Sequence, residues 1–255
     1  MEKIPLPASA RITEAQTIHD IDPDLEFPVA EIFCSINGEG LHAGLFSTFI
    51  RFVGCNLNCS FCDTRWACKK TCPCAMLNMN DLVECINHEK TRYVTLTGGE
   101  PLLQPHFPEL VEYLVRHTSC FIELETNGSI NLAEIAALRQ DLEKEGYKQR
   151  IGFTMDWKLP SSGMMRFMKP HNFSFLDRRT DVIKFVAGSA EDLAKAQEVI
   201  RQYQLFSICE VFFSPVFGLI EPAEIVCFLH DNDLKQARVQ LQLHKIIWPT
   251  RERGV

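Results

Sequence analysis

Apolar runs of strand length that alternate with segments of helical period constrain this chain more than any other feature. The runs are STFIRFV (47–53), YVTLT (93–97), CFIELET (120–126), GFTMDW (152–157), DVIKFVA (181–187), CEVFFS (209–214) and VQLQL (239–243). Segments 79–89, 106–117, 131–145, 190–203 and 222–231 repeat apolar residues at three- and four-residue spacing, the helical period. Apolar strands in alternation with helices specify an α/β fold, a mostly parallel sheet buried under outer helices. Asn131, Ser189 and Glu221-Pro222 stand where caps or first-turn residues belong. Six or seven such units bring a sheet to closure, or nearly so, as a barrel. Residues 1–28, polar and proline-bearing, form an N-terminal arm; 29–255 form a single domain with a cysteine-rich insertion near 65–78.

With 46% hydrophobic residues over 255 positions, the chain can bury a substantial core. Its net charge of -7 provides no basic field for a phosphate backbone, which favours a small-molecule substrate over nucleic acid. The first 28 residues hold no apolar run long enough for a signal peptide or membrane helix, so a cytoplasmic protein is expected. There are eleven cysteines, which in a reducing compartment point to metal or redox chemistry before disulfides.

Six of those cysteines lie between Cys55 and Cys74, and the first three form GCNLNCSFCDT, 54–64. Thiolates at this density suit a soft metal or an iron-sulfur cluster. Three ligands on a four-iron cubane leave one iron open for a reacting group. A zinc site completed from elsewhere, or three cysteines on one helix face, would fit the same spacing. Gly54, Asn56, Asn58 and Ser60 are poor helix-interior residues and weaken the last alternative. GGEP, NGS, KLPSSG and PVFG also follow strands. In a parallel sheet these are the C-terminal strand ends where ligands bind, so the blocks should meet in one cavity.

CxxxCxxC after a strand, Phe61 before its third cysteine and GGEP downstream together resemble the radical S-adenosylmethionine (SAM) superfamily. The longer series EIFCSINGEG, TLTGGEPLLQ, ETNGS, KLPSSGM, KFV, SPVFG and LQLHKIIWP, from Glu31 to Pro249, resembles within it the 7-carboxy-7-deazaguanine synthase family. The resemblance implies a partial (β/α)6-type barrel and a homodimer. It implies a lyase that contracts 6-carboxy-5,6,7,8-tetrahydropterin to 7-carboxy-7-deazaguanine with loss of ammonia, in queuosine biosynthesis. The implied cofactors are a 4Fe-4S cluster, SAM and Mg2+, with an electron donor such as flavodoxin. A glycyl-radical-enzyme activase of the same superfamily and a non-enzymatic zinc-binding interaction protein are the alternatives.

Residue by residue, the resemblance assigns the cluster to Cys55, Cys59 and Cys62. It assigns SAM to Phe61, Cys62, Asp63, Gly99, Glu100, Asp156, Trp157, Lys158, Ser214, Pro215, Val216 and Phe217. Gly98 and Gly99 would let the backbone approach a ligand; the bland role of GGEP is a turn into a helix. Lys158 needs an anionic partner. Substrate contacts fall to Ile36, Asn37, Gly38, Glu39, Arg51, Thr97 and His244, with Asn37 where the family usually has Gln. Arg51, a guanidinium within an apolar strand, has the forked donors that match a carboxylate. Thr64 would hold Mg2+; an ordinary Asp-Thr pair in a loop caps a turn. Cys68, Cys72 and Cys74 lie outside the shared pattern and are expected to hold a second metal, perhaps with Cys85, or to form an exposed insertion. Cys34, Cys120, Cys209 and Cys227 are expected in the core.

Overall fold

The computed structural model describes residues 11–13, 25–251 and 253–255. The remainder of the expected N-terminal arm lies outside the described residues. The strands are β1 (Arg11–Thr13), β2 (Phe27–Ile36), β3 (Phe46–Phe52), β4 (Cys74–Leu77), β5 (Tyr93–Gly98), β6 (Phe121–Thr126), β7 (Ile151–Asp156), β8 (Val182–Ala187), β9 (Glu210–Pro215) and β10 (Arg238–Val239). The helices are α1 (Arg65–Cys68), α2 (Met79–Glu89), α3 (Phe107–His117), α4 (Ala133–Lys144), α5 (Ala190–Tyr203), α6 (Pro222–Asp231) and α7 (Leu243–Ile247).

All ten strands join one sheet in the order β1-β4-β2-β3-β5-β6-β7-β8-β9-β10. From β3 to β10 the neighbours are parallel, whereas β2, β4 and β1 extend the sheet antiparallel beyond β3. Since β1 and β10 are not paired to each other, the barrel is partial. The expected mostly parallel α/β architecture is therefore present. Among the described residues, no helix is long and apolar enough to cross a membrane.

Helices form where apolar stripe and caps agree. Asn78 Oδ1 accepts from Asp81 N at 3.0 Å, and Asp81 Oδ2 accepts from Asn78 N at 3.0 Å, closing a capping box on α2. Ser189 caps α5, accepting from Asp192 N. Glu221-Pro222 start α6. Asn131 sits one residue before the Leu132 cap position of α4, and its Oδ1 accepts from Ala133 N at 3.0 Å. α3 lacks a side-chain cap bond but buries Phe107, Leu110, Val111, Leu114 and Val115. At about 2 kcal/mol per buried side chain, against about 1 for a cap, its stripe is what holds it. The β7–β8 crossover consists of short 3-10 turns.

The expected strand at 239–243 is corrected: only Arg238–Val239 pair, and Leu243 already begins α7. Gln240 and Gln242 give that stretch its alternating pattern, but their side chains turn onto the loop after β2. Gln240 bonds Gly40 N at 2.8 Å and Gly40 O at 3.1 Å, and Gln242 Nε2 bonds Glu39 Oε2 at 3.3 Å. That loop enters the barrel. Asn37 Nδ2 donates to Glu123 Oε2 at 2.6 Å, and the Thr154 hydroxyl donates to Glu123 Oε1 at 2.6 Å. A Cβ on Gly40, whose φ is +79°, would lie 2.7 Å from Glu123 Oε1, so only glycine fits.

Candidate active site

A cavity of about 630 Å³ opens at the C-terminal ends of the parallel strands. The blocks after β3, β5, β6, β7 and β9 all reach it, through Cys55, Gly99, Asn127, Lys158 and Val216 respectively. Of the residues assigned above, Ile36, Asn37, Gly38, Glu39, Arg51, Thr97 and His244 line it. Cys55, Cys59, Phe61, Cys62, Asp63, Thr64, Gly99, Asp156, Lys158, Val216 and Phe217 line it as well.

The cysteine loop is gripped from two neighbouring strand ends. On the β6 side, Asn127 Nδ2 donates to Asn56 Oδ1 at 3.1 Å and lies 3.7 Å from Cys55 Sγ, while Asn56 Nδ2 donates to Ser129 Oγ at 2.8 Å. On the β7 side, Ser60 N donates to Ser162 O at 3.1 Å and the Ser60 hydroxyl to Ser161 O at 2.5 Å. Arg65 closes the loop on itself through Cys59 O at 3.0 Å. NGS and KLPSSG therefore serve, in part, to hold the thiols.

The Cys68 thiol, 4.0 Å from Cys62 Sγ, draws Cys62 well below the usual thiol range against the opposing effect of burial, and the same neighbour lowers Cys55. Cys59 is shifted the other way, by burial. Among the described residues no three His, Cys, Asp or Glu side chains converge into a cage for one ion. The three thiols instead border a shared cavity. That arrangement suits thiolates that each bind a different iron of a cubane, and it is poor for a zinc ion, which needs its ligands around one point.

Around the thiols, Lys158 Nζ stands 2.7 Å from Asp156 Oδ2, the anionic partner its position demanded. Burial opposes the Lys158 charge, and the Asp156 carboxylate more than compensates, raising its pKa. Among the described residues, Asp156 Oδ1 is buried without a hydrogen-bond partner, an acceptor left unused at the cavity. Asp63 is half-exposed toward the cavity, 3.1 Å from Lys245 Nζ and 3.9 Å from His244 Nε2. Desolvation works against its ionisation, but the neighbouring His244 ring and the charge of Lys245 hold the carboxyl well below its usual range. Thr64 occupies the cap position of α1 yet makes no side-chain cap bond. Its Oγ1 lies 3.6 Å from Cys62 Sγ and borders the cavity.

Register fixes the place of Arg51 in the cavity wall. Arg51 on β3 pairs with Glu31 of β2 on one side and with Thr97 of β5 on the other. Its Nε stands 2.9 Å from Glu31 Oε1 and its guanidinium 5.8 Å from the Phe33 ring. Glu39 is buried, taking Ser214 Oγ at 2.7 Å and Lys184 Nζ at 3.0 Å. Burial resists its charge, but Lys184 and Ser214 keep its pKa below the usual value.

Several assigned residues are placed differently from expectation. Gly98 and Gly99 line the cavity and also let β5 pack against the cysteine loop, since a Cβ at either would strike the backbone of Phe52 or Gly54 at 2.0–2.3 Å. Glu100 lies behind the wall, its carboxylate accepting from Leu102 N, Asn127 N and the Thr126 hydroxyl. Trp157 packs on Phe173, with ring centroids 4.6 Å apart. Ser214 and Pro215 are buried in β9. The Asn37 amide is engaged by Glu123, and His244, within α7, occupies the space beside Gly38.

The insertion is not exposed as a whole, and its thiols do not converge. Cys72 and Cys74 are buried with Val53 and Met76, Cys85 lies in the main core, and only Cys68 faces the cavity. Cys120 and Cys209 are buried as expected, Cys34 is half-buried, and Cys227 is exposed on α6 instead of lying in the core. Lys184 and Glu125 line the cavity without having been singled out. The available signal was Lys184 inside the otherwise apolar run VIKFV and the two glutamates, Glu123 and Glu125, inside FIELET.

Residues 49–144 match the model of the radical SAM superfamily. The 7-carboxy-7-deazaguanine synthase of Clostridium acetobutylicum is 45% identical over 91% of this chain and 100% of its own length. This chain belongs to the 7-carboxy-7-deazaguanine synthase family. The synthase of Methanospirillum hungatei is 37% identical over 86% of this chain and 84% of its own. The crystal structure of QueE from Escherichia coli shares the fold, with a TM-score of 0.62 over 85% of this chain and 94% of that one at 20% identity. Membership of the superfamily makes the protein an enzyme that uses a 4Fe-4S cluster and SAM, and the donor set described above fits both.

Proposed function

We propose that this enzyme converts 6-carboxy-5,6,7,8-tetrahydropterin to 7-carboxy-7-deazaguanine with release of ammonia, the step its relatives' name describes, in queuosine biosynthesis. The observation that carries this is one cavity lined by the Cys55, Cys59 and Cys62 thiols together with Arg51 and Thr97. When bound, the cluster and SAM together supply a 5'-deoxyadenosyl radical for hydrogen abstraction.

The chain's own residues position the reactants. Cys55, Cys59 and Cys62 hold the cluster, the Asn127 and Ser161-Ser162 bonds fix their loop, and Phe61, Asp63, Asp156, Lys158, Val216 and Phe217 form the SAM wall. Arg51 receives the substrate carboxylate: its Nε is committed to Glu31, and the fork directs its remaining donors as a pair. Glu39, Ile36, Asn37, Gly38 and Thr97 border the pterin, and His244 closes the same wall. The Thr64 hydroxyl, unused in capping, would hold Mg2+, a hard cation that takes oxygen ligands. A flavodoxin-class protein delivers the electron, and the enzyme works as a cytoplasmic homodimer.

Anaerobic reconstitution with iron and sulfide tests the assignment. The expected result is a brown protein that cleaves SAM and, with Mg2+ and the carboxytetrahydropterin, forms 7-carboxy-7-deazaguanine. SAM cleavage without any deazapurine would remove the substrate assignment while leaving the superfamily chemistry intact.

A further inference from the structure

The end of β2 and the loop after it supply Ile36, Asn37, Gly38 and Glu39 to the cavity lining, and that loop is gripped at two places. The segment leading into α7 is one grip: Gln240 bonds Gly40, and Leu243 N donates to Gly38 O at 3.3 Å. The other is a single carboxylate on β6. Glu123 Oε2 accepts from Asn37 Nδ2 at 2.6 Å, and Glu123 Oε1 accepts from the Thr154 hydroxyl at 2.6 Å. Asn37 is also where the loop closes on itself. Its N donates to Leu45 O at 2.7 Å and its O accepts from Gly44 N at 2.7 Å. Holding the Asn37 side chain therefore holds both ends of loop 37–45.

Glu123 is buried, and among the described residues the only basic side chain within 4.0 Å of it is His42, with Nδ1 at 3.7 Å. A buried carboxylate without a close cation is costly unless donors meet it, and here both Asn37 and His42 belong to the loop. Gly40 packs on the same group, since a Cβ there would lie 2.7 Å from Glu123 Oε1. Glu125, two residues further along β6, lines the cavity, whereas Glu123 does not. Both hydrogens of the Asn37 amide are taken up inside the protein, one by Glu123 and the other by Thr95 Oγ1 at 3.5 Å.

We propose that Glu123 is a positioning residue for the pterin acid, setting the loop against the cavity by holding the Asn37 amide. Asn37 thus acts on substrate binding through Glu123 and not by offering its amide hydrogens to the substrate. The proposal rests on the substrate assignment made above.

The test compares wild type, Glu123→Gln, Asn37→Asp and the exchanged pair Asn37→Asp/Glu123→Gln, each as the full chain with its cluster reconstituted anaerobically. Glu123→Gln keeps an acceptor for Asn37, and the Thr154 hydroxyl can accept from the new amide. KM for the pterin acid and SAM cleavage should both stay within about threefold of wild type. Asn37→Asp sets one carboxylate against another, so KM should rise at least about tenfold, with kcat lowered by no more than about threefold. In the exchanged pair donor and acceptor trade places, and KM should return to within about threefold of wild type. An unchanged KM in Asn37→Asp would overturn the proposal. A KM raised as much in the pair as in Asn37→Asp would overturn it too, because Asn37 would then meet the substrate itself. Asn37→Asp losing kcat as much as it gains in KM would place the contact in the general fold, which also overturns it. Where Asn37→Asp does not fold, the exchanged pair decides: recovery of both fold and KM is the expected result, and a pair that recovers neither overturns the proposal. A wild type that forms no deazapurine would overturn the substrate assignment along with this proposal, whereas the other outcomes leave that assignment standing.

Discussion

Lys184 Nζ lies 3.0 Å from Glu39 Oε2, tying β8 to the loop that follows β2 across 145 positions of sequence. Both side chains are about nine-tenths shielded from solvent. Removing one partner of such a pair leaves a buried charge and costs about 3–5 kcal/mol; the bonds from Ser214 and Gln242 to Glu39 place the expected loss at the lower end. Lys184→Met should therefore unfold at lower urea by about 3 kcal/mol, with part of that recovered in Lys184→Met/Glu39→Gln. Unchanged unfolding of the single variant would show that the pair is not structural.

Arg51→Lys keeps the charge and loses the fork. A charge-assisted hydrogen bond contributes about 1.5–3 kcal/mol, so KM for the pterin acid should rise about ten- to hundredfold. SAM cleavage without substrate should stay near wild type, because the proposed partner of Arg51 is the substrate carboxylate and not SAM. Steady-state kinetics of both reactions in one preparation decide it, and equal losses in the two would place Arg51 outside substrate recognition.

Thr64→Ala removes a hydroxyl that makes no cap bond, so stability should change by no more than about 0.5 kcal/mol. Iron content and SAM cleavage should also persist. The expected defect is a higher Mg2+ requirement for deazapurine formation, largely relieved in Thr64→Ser. Full Mg2+-dependent turnover in Thr64→Ala would count against the magnesium role.

The parallel sheet was legible because its strands are buried on both faces and its helices carry regular apolar stripes. Segments 79–89, 190–203 and 222–231 are helices at the predicted bounds. β2 and β4 were less visible. In β2 the apolar run is broken by Glu31, Ser35 and the half-buried Cys34, and β4 is four residues inside a segment whose cysteines suggested metal. At 239–243 the alternation arises from two glutamines packed onto a loop, a tertiary cause that mimics the strand period. The cavity itself was legible as the meeting place of the strand-end blocks. What no spacing revealed was which polar groups in those blocks face the cavity and which do not, like Glu100, which holds the backbone of Leu102 and Asn127, and Ser214, which bonds the Glu39 carboxylate.

Glu100 offers a test of that distinction through pH. Burial raises its carboxyl to about 7, with the bonds from Asn127 N, the Thr126 hydroxyl and Leu102 N offsetting only part of the effect. The unfolded chain ionises this group at its ordinary value of 4.5, so between the two values the folded state binds a proton the unfolded state has released. The contribution is complete below about 4.5 and is lost as pH rises through about 7; it amounts to about 3 kcal/mol. Cluster-free wild type should therefore lose stability from pH 5 to pH 7 more steeply than Glu100→Gln, which cannot titrate there. Urea unfolding of both proteins across that range measures the difference in slope, and parallel curves would mean that Glu100 is ionised throughout, as a carboxylate facing the cavity would be.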